Sequence, residues 1–180
     1  MAHKAIDIAN FYVQLSKSIS DDSMDNLKIN KMLYYAQGFS LAKLGKNLFD
    51  EDFQAWDYGP VIPEVYHAFK CCGRKSIDEP TDEFDEDELG NDEFNLLIDV
   101  FSAYGKYTGW ALKEMTHIKG GPWEKVYEPG KNRVISADSM RSYFENEQLE
   151  SFDISDLKIP IVKAIPADWD SDEDEVYDKI

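Results

Sequence analysis

The 180-residue chain has no run of eighteen apolar residues, so nothing in it reads as a membrane-spanning helix. Cysteine is scarce. Cys71 and Cys72 are neighbours and cannot form a conventional disulfide staple. The opening Met1-Ala2-His3-Lys4-Ala5-Ile6-Asp7 puts an acid inside the first apolar stretch, unlike a secretory leader. Both features give the expectation of a cytoplasmic protein kept reduced. Histidine is equally rare: His3, His67 and His117. Only His67 has thiols nearby in sequence, and no zinc-ligand spacing is present, so no metal and no cofactor is expected. A glycine-rich phosphate loop is missing too, and Gly59-Pro60 reads as a rigid turn.

Positive charge is in short supply: 19 Lys+Arg stand against 36 Asp+Glu, a net charge of −17. Residues 78–93 carry ten acids and no base, and residues 168–178 carry seven acids and no base. These two runs hold the entire excess and leave a near-neutral body. Such runs repel themselves and stay solvated. They fit either solubility or attraction of a basic partner, and argue against nonspecific DNA binding, which needs cations on phosphates.

The rest of the chain has the pattern of one helical domain. Helical spacing predicts helices over about 5–18 and 27–44, the second ended by Gly45. Caps for the second are expected from Asp21-Asp22-Ser23. Residues 49–58 alternate and predict a small β element. Pro63 suits the first turn of a helix running to Cys72. An acidic loop follows over 74–90. Further helices are predicted at 92–104 with Asn91 as cap, at 109–118 with Thr108 as cap, from Pro122 through Tyr127, and at 137–146 with Ser136 as cap. Residues 159–165 read as an edge strand or a docking arm. The fold class is therefore mainly α, a single compact helical domain with that β element near 49–58 and a second candidate at 159–165. The domain is placed at 1–146, with an arm and acidic tail at 147–180. The expected core is Ile29, Met32, Leu33, Ala36, Leu97, Phe101, Leu112, Met115 and Phe144.

No catalytic constellation stands out. A cysteine nucleophile served by His67 or His117 is conceivable, as is a hydrolase using His117 and an acid, but acids in a solvated run lack the partly dry pocket catalysis needs. His117 is expected to bond backbone, or to face a helix C-terminus when charged. What is abundant is aromatic: ten Tyr, ten Phe and four Trp, enough for a core and for interface anchors. The partner-binding candidates are Lys31, Tyr34 and Tyr35 on the second helix, with Trp56, Tyr58, Gly59 and Pro60 on the turn. Lys31 and Tyr35 share a helix face, and at least one of the two tyrosines is expected to be free of core duty.

Several stretches resemble one family. They are Ala5-Ile6-Asp7-Ile8-Ala9 with Tyr12, and Leu27-Lys28-Ile29-Asn30-Lys31-Met32-Leu33-Tyr34-Tyr35-Ala36-Gln37-Gly38. Leu48-Phe49, Gln54-Ala55-Trp56-Asp57-Tyr58-Gly59-Pro60-Val61-Ile62-Pro63 and Tyr66 follow. Then come Leu112, Thr116-His117, Pro122-Trp123, Ile135-Ser136 and Tyr143-Phe144. In order and spacing, over residues 5 to 145, the chain is similar to the Panacea-domain antitoxins, the SocA-like and GepA-like phage-associated proteins. Asn30 stands where that family often has Gln, the loop at 78–93 is unusually charged, and the tail after Asn146 falls outside the likeness. The resemblance implies a mostly helical antitoxin that binds a cognate protein toxin, encoded by a neighbouring gene, without catalysis. Some family members act instead as adaptors that deliver a toxin to a protease.

Overall fold

The computed structural model describes residues 2–19, 24–73 and 75–149. Helix α1 (Ala5–Ile19) is followed by α2 (Asn26–Phe39), which runs into a π-helical turn, Ser40–Leu44. Gly45 takes a left-handed conformation (φ 69°) and stops it, as its sequence position predicts. The cap of α2 is Asp25, whose carboxylate accepts from the Lys28 amide at 2.8 Å. The expected caps at 21–23 fall outside the described residues.

A hairpin follows. Strand β1 (Phe53–Trp56) pairs antiparallel with β2 (Gly59–Val61), with Trp56 opposite Gly59, and then with β3 (Val134–Ile135), giving the order β2-β1-β3. The expected β element was thus only part of the sheet. Gly59-Pro60 belongs to strand β2, not to a free turn. Because β2 is an edge strand, the missing proline N–H leaves no ladder bond unmade on an inner strand.

Helix α3 (Pro63–Ala68) has its proline in the first turn and is shorter than expected, passing into a 3₁₀ turn at Lys70–Cys72. Then come α4 (Asn91–Tyr104), α5 (Gly109–Thr116), α6 (Pro122–Val126) and α7 (Ala137–Phe144). Thr108 and Ser136 cap α5 and α7 as expected. Asn91 is not the cap of α4. Gly90 occupies that position, and the Glu93 carboxylate reaches back to its N–H at 2.9 Å. Glu93 also pairs with Lys46 at 2.6 Å and meets His3 at 3.2 Å. Burial raises its affinity for a proton, but these partners outweigh burial and hold its pKa at about 2.

All fourteen residues of α2 are buried. It lies between α1, α4, α5 and α7 and is the axis of the core. Ile29, Met32, Leu33 and Ala36 meet Tyr12 from α1, Leu97 and Phe101 from α4, Leu112 from α5 and Phe144 from α7 in one cluster. Met115 is the exception to the expected core, being 38% exposed. Helix α5 turns Gly109, Leu112 and Thr116 inward, and Met115 falls on the next face.

The acidic run is fastened to the body rather than hung from it. Ile77, Phe84 and Leu89 are buried in the core. Asn10 and Gln14 of α1 bond the backbone at Thr81 and Phe84, and Lys17 pairs with Glu79. Asp78, Asp82, Glu83, Asp85, Asp87 and Glu88 stay exposed. Among the described residues no helix is long and apolar enough to cross a membrane. The segment 159–165 and the acidic run 168–178 lie outside the described residues.

The packing of α7 on α2 depends on Gly38. A Cβ there would stand 2.2–2.6 Å from the Phe144 ring, itself hemmed by Tyr34, Tyr35 and Phe39. Alanine gains about 1 kcal/mol of helix propensity over glycine, whereas overpacking costs roughly 1–3 kcal/mol. Gly38→Ala should therefore lower the urea midpoint, and Leu33→Ala should cost roughly 2–5 kcal/mol. A raised midpoint for Gly38→Ala would contradict the close approach of α7.

Candidate functional site

The polar residues of α2 have no water to face, so each must find a partner inside. They find backbone. Asn26 donates to the Tyr66 carbonyl at 2.9 Å, and Lys28 donates to the Gly105 carbonyl at 2.6 Å. Asn30 accepts from the Ile62 amide at 3.0 Å while its own amide nitrogen donates to the Asn26 carbonyl. Lys31 donates to the Pro60 carbonyl at 2.9 Å. Gln37 donates to the Phe49 carbonyl and accepts from the Leu48 amide, both at 2.9 Å. One helix thus holds the start of α3, the end of α4 and both approaches to the hairpin.

Around Lys31 these segments meet. Gly59 has φ +99°, and a Cβ there would lie 2.8 Å from both Lys31 Cε and Thr116 Oγ1. Glycine is needed on both counts. From the far side Trp123 of α6 donates its indole N–H to the Trp56 carbonyl at 2.8 Å. The Trp123 ring stacks on His117 at 3.7 Å and on Tyr127 at 4.2 Å. Tyr127 in turn donates to Asp57 in the hairpin turn at 2.8 Å. At the outer rim Tyr58 leans on Trp110 at 6.1 Å, with the Lys113 ammonium 4.8 Å from the Trp110 ring.

This junction brings Lys31, Trp56, Gly59 and Pro60 together as the sequence reading grouped them, but buries them. Lys31 is 0% exposed, and Trp56, Gly59 and Pro60 are buried too. The expectation of a spare tyrosine fails. Tyr34 packs edge-on against Phe53 and Phe144, and Tyr35 stacks on Tyr104 at 3.9 Å. The helical-face argument assumed that α2 has an outer side, and a helix wrapped on every side has none. Tyr58 alone among the seven candidates keeps partial exposure.

His117 also departs from expectation. Its ring lies flat on Trp123, and its Nε2 is buried without a hydrogen-bond partner among the described residues. Burial, then Lys113 and Lys31, pull its pKa down to about 4, so it is neutral at pH 7 rather than a charged partner for the helix end. The partner-binding candidates left out Tyr127, Asp57 and Thr116, although Asp57 and Thr116 lie within the family signatures. The spacing of Trp123 and Tyr127, four apart on one helix face, was the available signal. Among the described residues no group of three or more His, Cys, Asp or Glu side chains could hold a metal ion.

Burial lowers the Lys31 ammonium to about pKa 7; Asp25 opposes this and Lys113 adds to it. The ordinary value is 10.5. Between these limits the unfolded chain holds a proton that the folded chain has released, so stability rises with pH from about 7 to about 10.5 and the burden on the fold is full below 7. The slope from this group approaches about 1.4 kcal/mol per pH unit at most. Lys31→Met should flatten the rise in urea midpoint between neutral and alkaline pH, whatever it does to the midpoint itself. Parallel curves for the two proteins would refute the buried, deprotonating amine.

Comparison with known proteins finds one family. A family model described as "Antitoxin SocA-like, Panacea domain" matches residues 29–124, from α2 through the hairpin to α6. Antitoxin SocA of Caulobacter vibrioides (strain NA1000 / CB15N) is 29% identical over 135 residues, spanning 69% of this chain and 71% of the relative. No solved structure matches.

Proposed function

The chain belongs to the SocA-like Panacea-domain antitoxin family, and on that premise we propose that it is an antitoxin that neutralises a partner toxin by direct protein–protein binding. The observation that carries this reading is the family match over 29–124, which takes in most of α2, the hairpin and the stacked pair His117 and Trp123. The partner is a cognate protein toxin encoded by an adjacent gene; nucleic acid and membrane are not its targets. Lys31, Tyr34, Tyr35, Trp56, Gly59 and Pro60 serve from inside, fixing the hairpin whose rim presents Tyr58. A stiff, internally tied surface lowers the ordering cost of binding.

The protein does this without catalysis. Lys31 is bonded to a carbonyl and His117 is stacked on an indole, an arrangement that supports packing rather than turnover. The purified protein should not turn over nucleotide, peptide or ester substrates; turnover that disappears in His117→Ala would overturn this.

The decisive experiment is co-expression with the neighbouring gene. That gene alone should arrest growth, and this chain should restore growth and co-purify with the toxin. A harmless neighbour, or rescue without binding, defeats the direct-binding reading. A fall in toxin level during rescue would point to delivery to a protease instead. The exposed acids at 78–88 should also speed encounter with a basic toxin. Association should slow as salt rises, since exposed charges are screened beyond about 8 Å at physiological ionic strength. Neutralising residues 82–88 should weaken that dependence, and a flat salt series in the unaltered protein would exclude steering.

A further inference from the structure

Away from the junction stand the two cysteines, Cys71 and Cys72, both free thiols. They stand on the 3₁₀ turn Lys70–Cys72 that follows α3. Backbone bonds hold this turn on both sides: the Cys72 amide donates to Phe69, the Gly73 amide to Lys70 and the Lys75 amide to Cys72. Phe69 is buried in the core and anchors the turn from within. Cys71 is exposed, Cys72 is half-buried, and their sulfurs lie 3.9 Å apart in contact with each other. A fixed turn therefore presents two convergent sulfurs at the surface.

Two chemistries compete for such a pair. A direct S–S bond is disfavoured by the backbone. A trans peptide fixes neighbouring Cα atoms about 3.8 Å apart, short of the roughly 4.4–6.8 Å that disulfides span. A single soft atom placed between the sulfurs relieves that constraint, and thiolates select soft acceptors. We propose that Cys71 and Cys72 form a chelating dithiol site for a thiophilic centre with two exchangeable oxygen ligands, the class of trivalent organoarsenicals. With R–As(OH)₂, each sulfur forms a bond to arsenic as one As–O bond breaks. Each thiol proton leaves with the departing hydroxide as water. The products are a cyclic dithioarsenite and two waters, and arsenic remains trivalent throughout. Burial, then the bond with Cys71 and the charge of Asp78, push the Cys72 thiol up. It therefore enters the reaction protonated and supplies the proton that the leaving hydroxide needs.

The test uses the full chain, reduced with a phosphine, and phenylarsine oxide, which hydrates to the dihydroxy form. Intact mass and thiol titration should show one adduct per chain and the loss of both thiols. The adduct should withstand excess glutathione and be removed by 1,2-ethanedithiol. Cys71→Ser and Cys72→Ser, both conservative at positions outside the buried core, should each bind roughly a hundredfold more weakly under glutathione, because the second bond is then no longer intramolecular. Two thiols still titratable in the treated unaltered chain would overturn the site. So would an adduct on either serine variant that resists glutathione as well as the unaltered chain does.

Discussion

Enclosing Asn26, Lys28, Asn30, Lys31 and Gln37 in a helix cut off from water is costly unless each is bonded; an unpartnered buried amide costs on the order of 1–3 kcal/mol, and a charge more. Every one of these side chains instead bonds main chain in a neighbouring segment or in its own helix. The arrangement of the molecule follows from this requirement. The hairpin lies where Lys31 and Asn30 can reach its carbonyl and amide, the strand approach lies where Gln37 can hold residues 48 and 49, and α4 ends where Lys28 meets Gly105.

The aromatic residues complete what the polar anchors begin. Rings from α2, α4 and α7 pack edge-on or stacked around Tyr35 and Phe144, and the column His117, Trp123, Tyr127 clamps the hairpin from outside. Each ring pair adds roughly 0.5–1.5 kcal/mol beyond area burial. The two halves meet at Trp56, whose carbonyl receives the Trp123 indole. Much of the acidic run that begins at Asp78 stays outside this framework. Asp78, Asp82, Glu83, Asp85, Asp87 and Glu88 are exposed to water, while Ile77, Phe84 and Leu89 tether the loop by its apolar side.

Local chemistry was readable where local forces decide. Thr108, Ser136, Pro63, Pro122 and Gly45 marked helix limits because caps and proline act within one turn. Gly90 displaced Asn91 as the cap of α4 because Glu93 supplies the missing bond from inside the helix. Strand β3 has two residues and no period to detect, and β2 was hidden by a Gly-Pro pair that usually signals a turn. The family signatures located the junction, since Lys31, Trp56, Gly59, Thr116 and Trp123 do converge. Their burial was not legible, because amphipathic reasoning gives every helix an outer face, and α2 has none.

The anchors of α2 grip mainly peptide groups in the segments around it. A carbonyl at position 60, 66 or 105 offers the same lone pairs whatever residue carries it, and the amide at 62 needs only to avoid proline. Segments held in this way keep their path while their outward side chains are exchanged. An interior that reads mostly main chain leaves the surface composition open to drift, so one framework can display different recognition faces without being rebuilt.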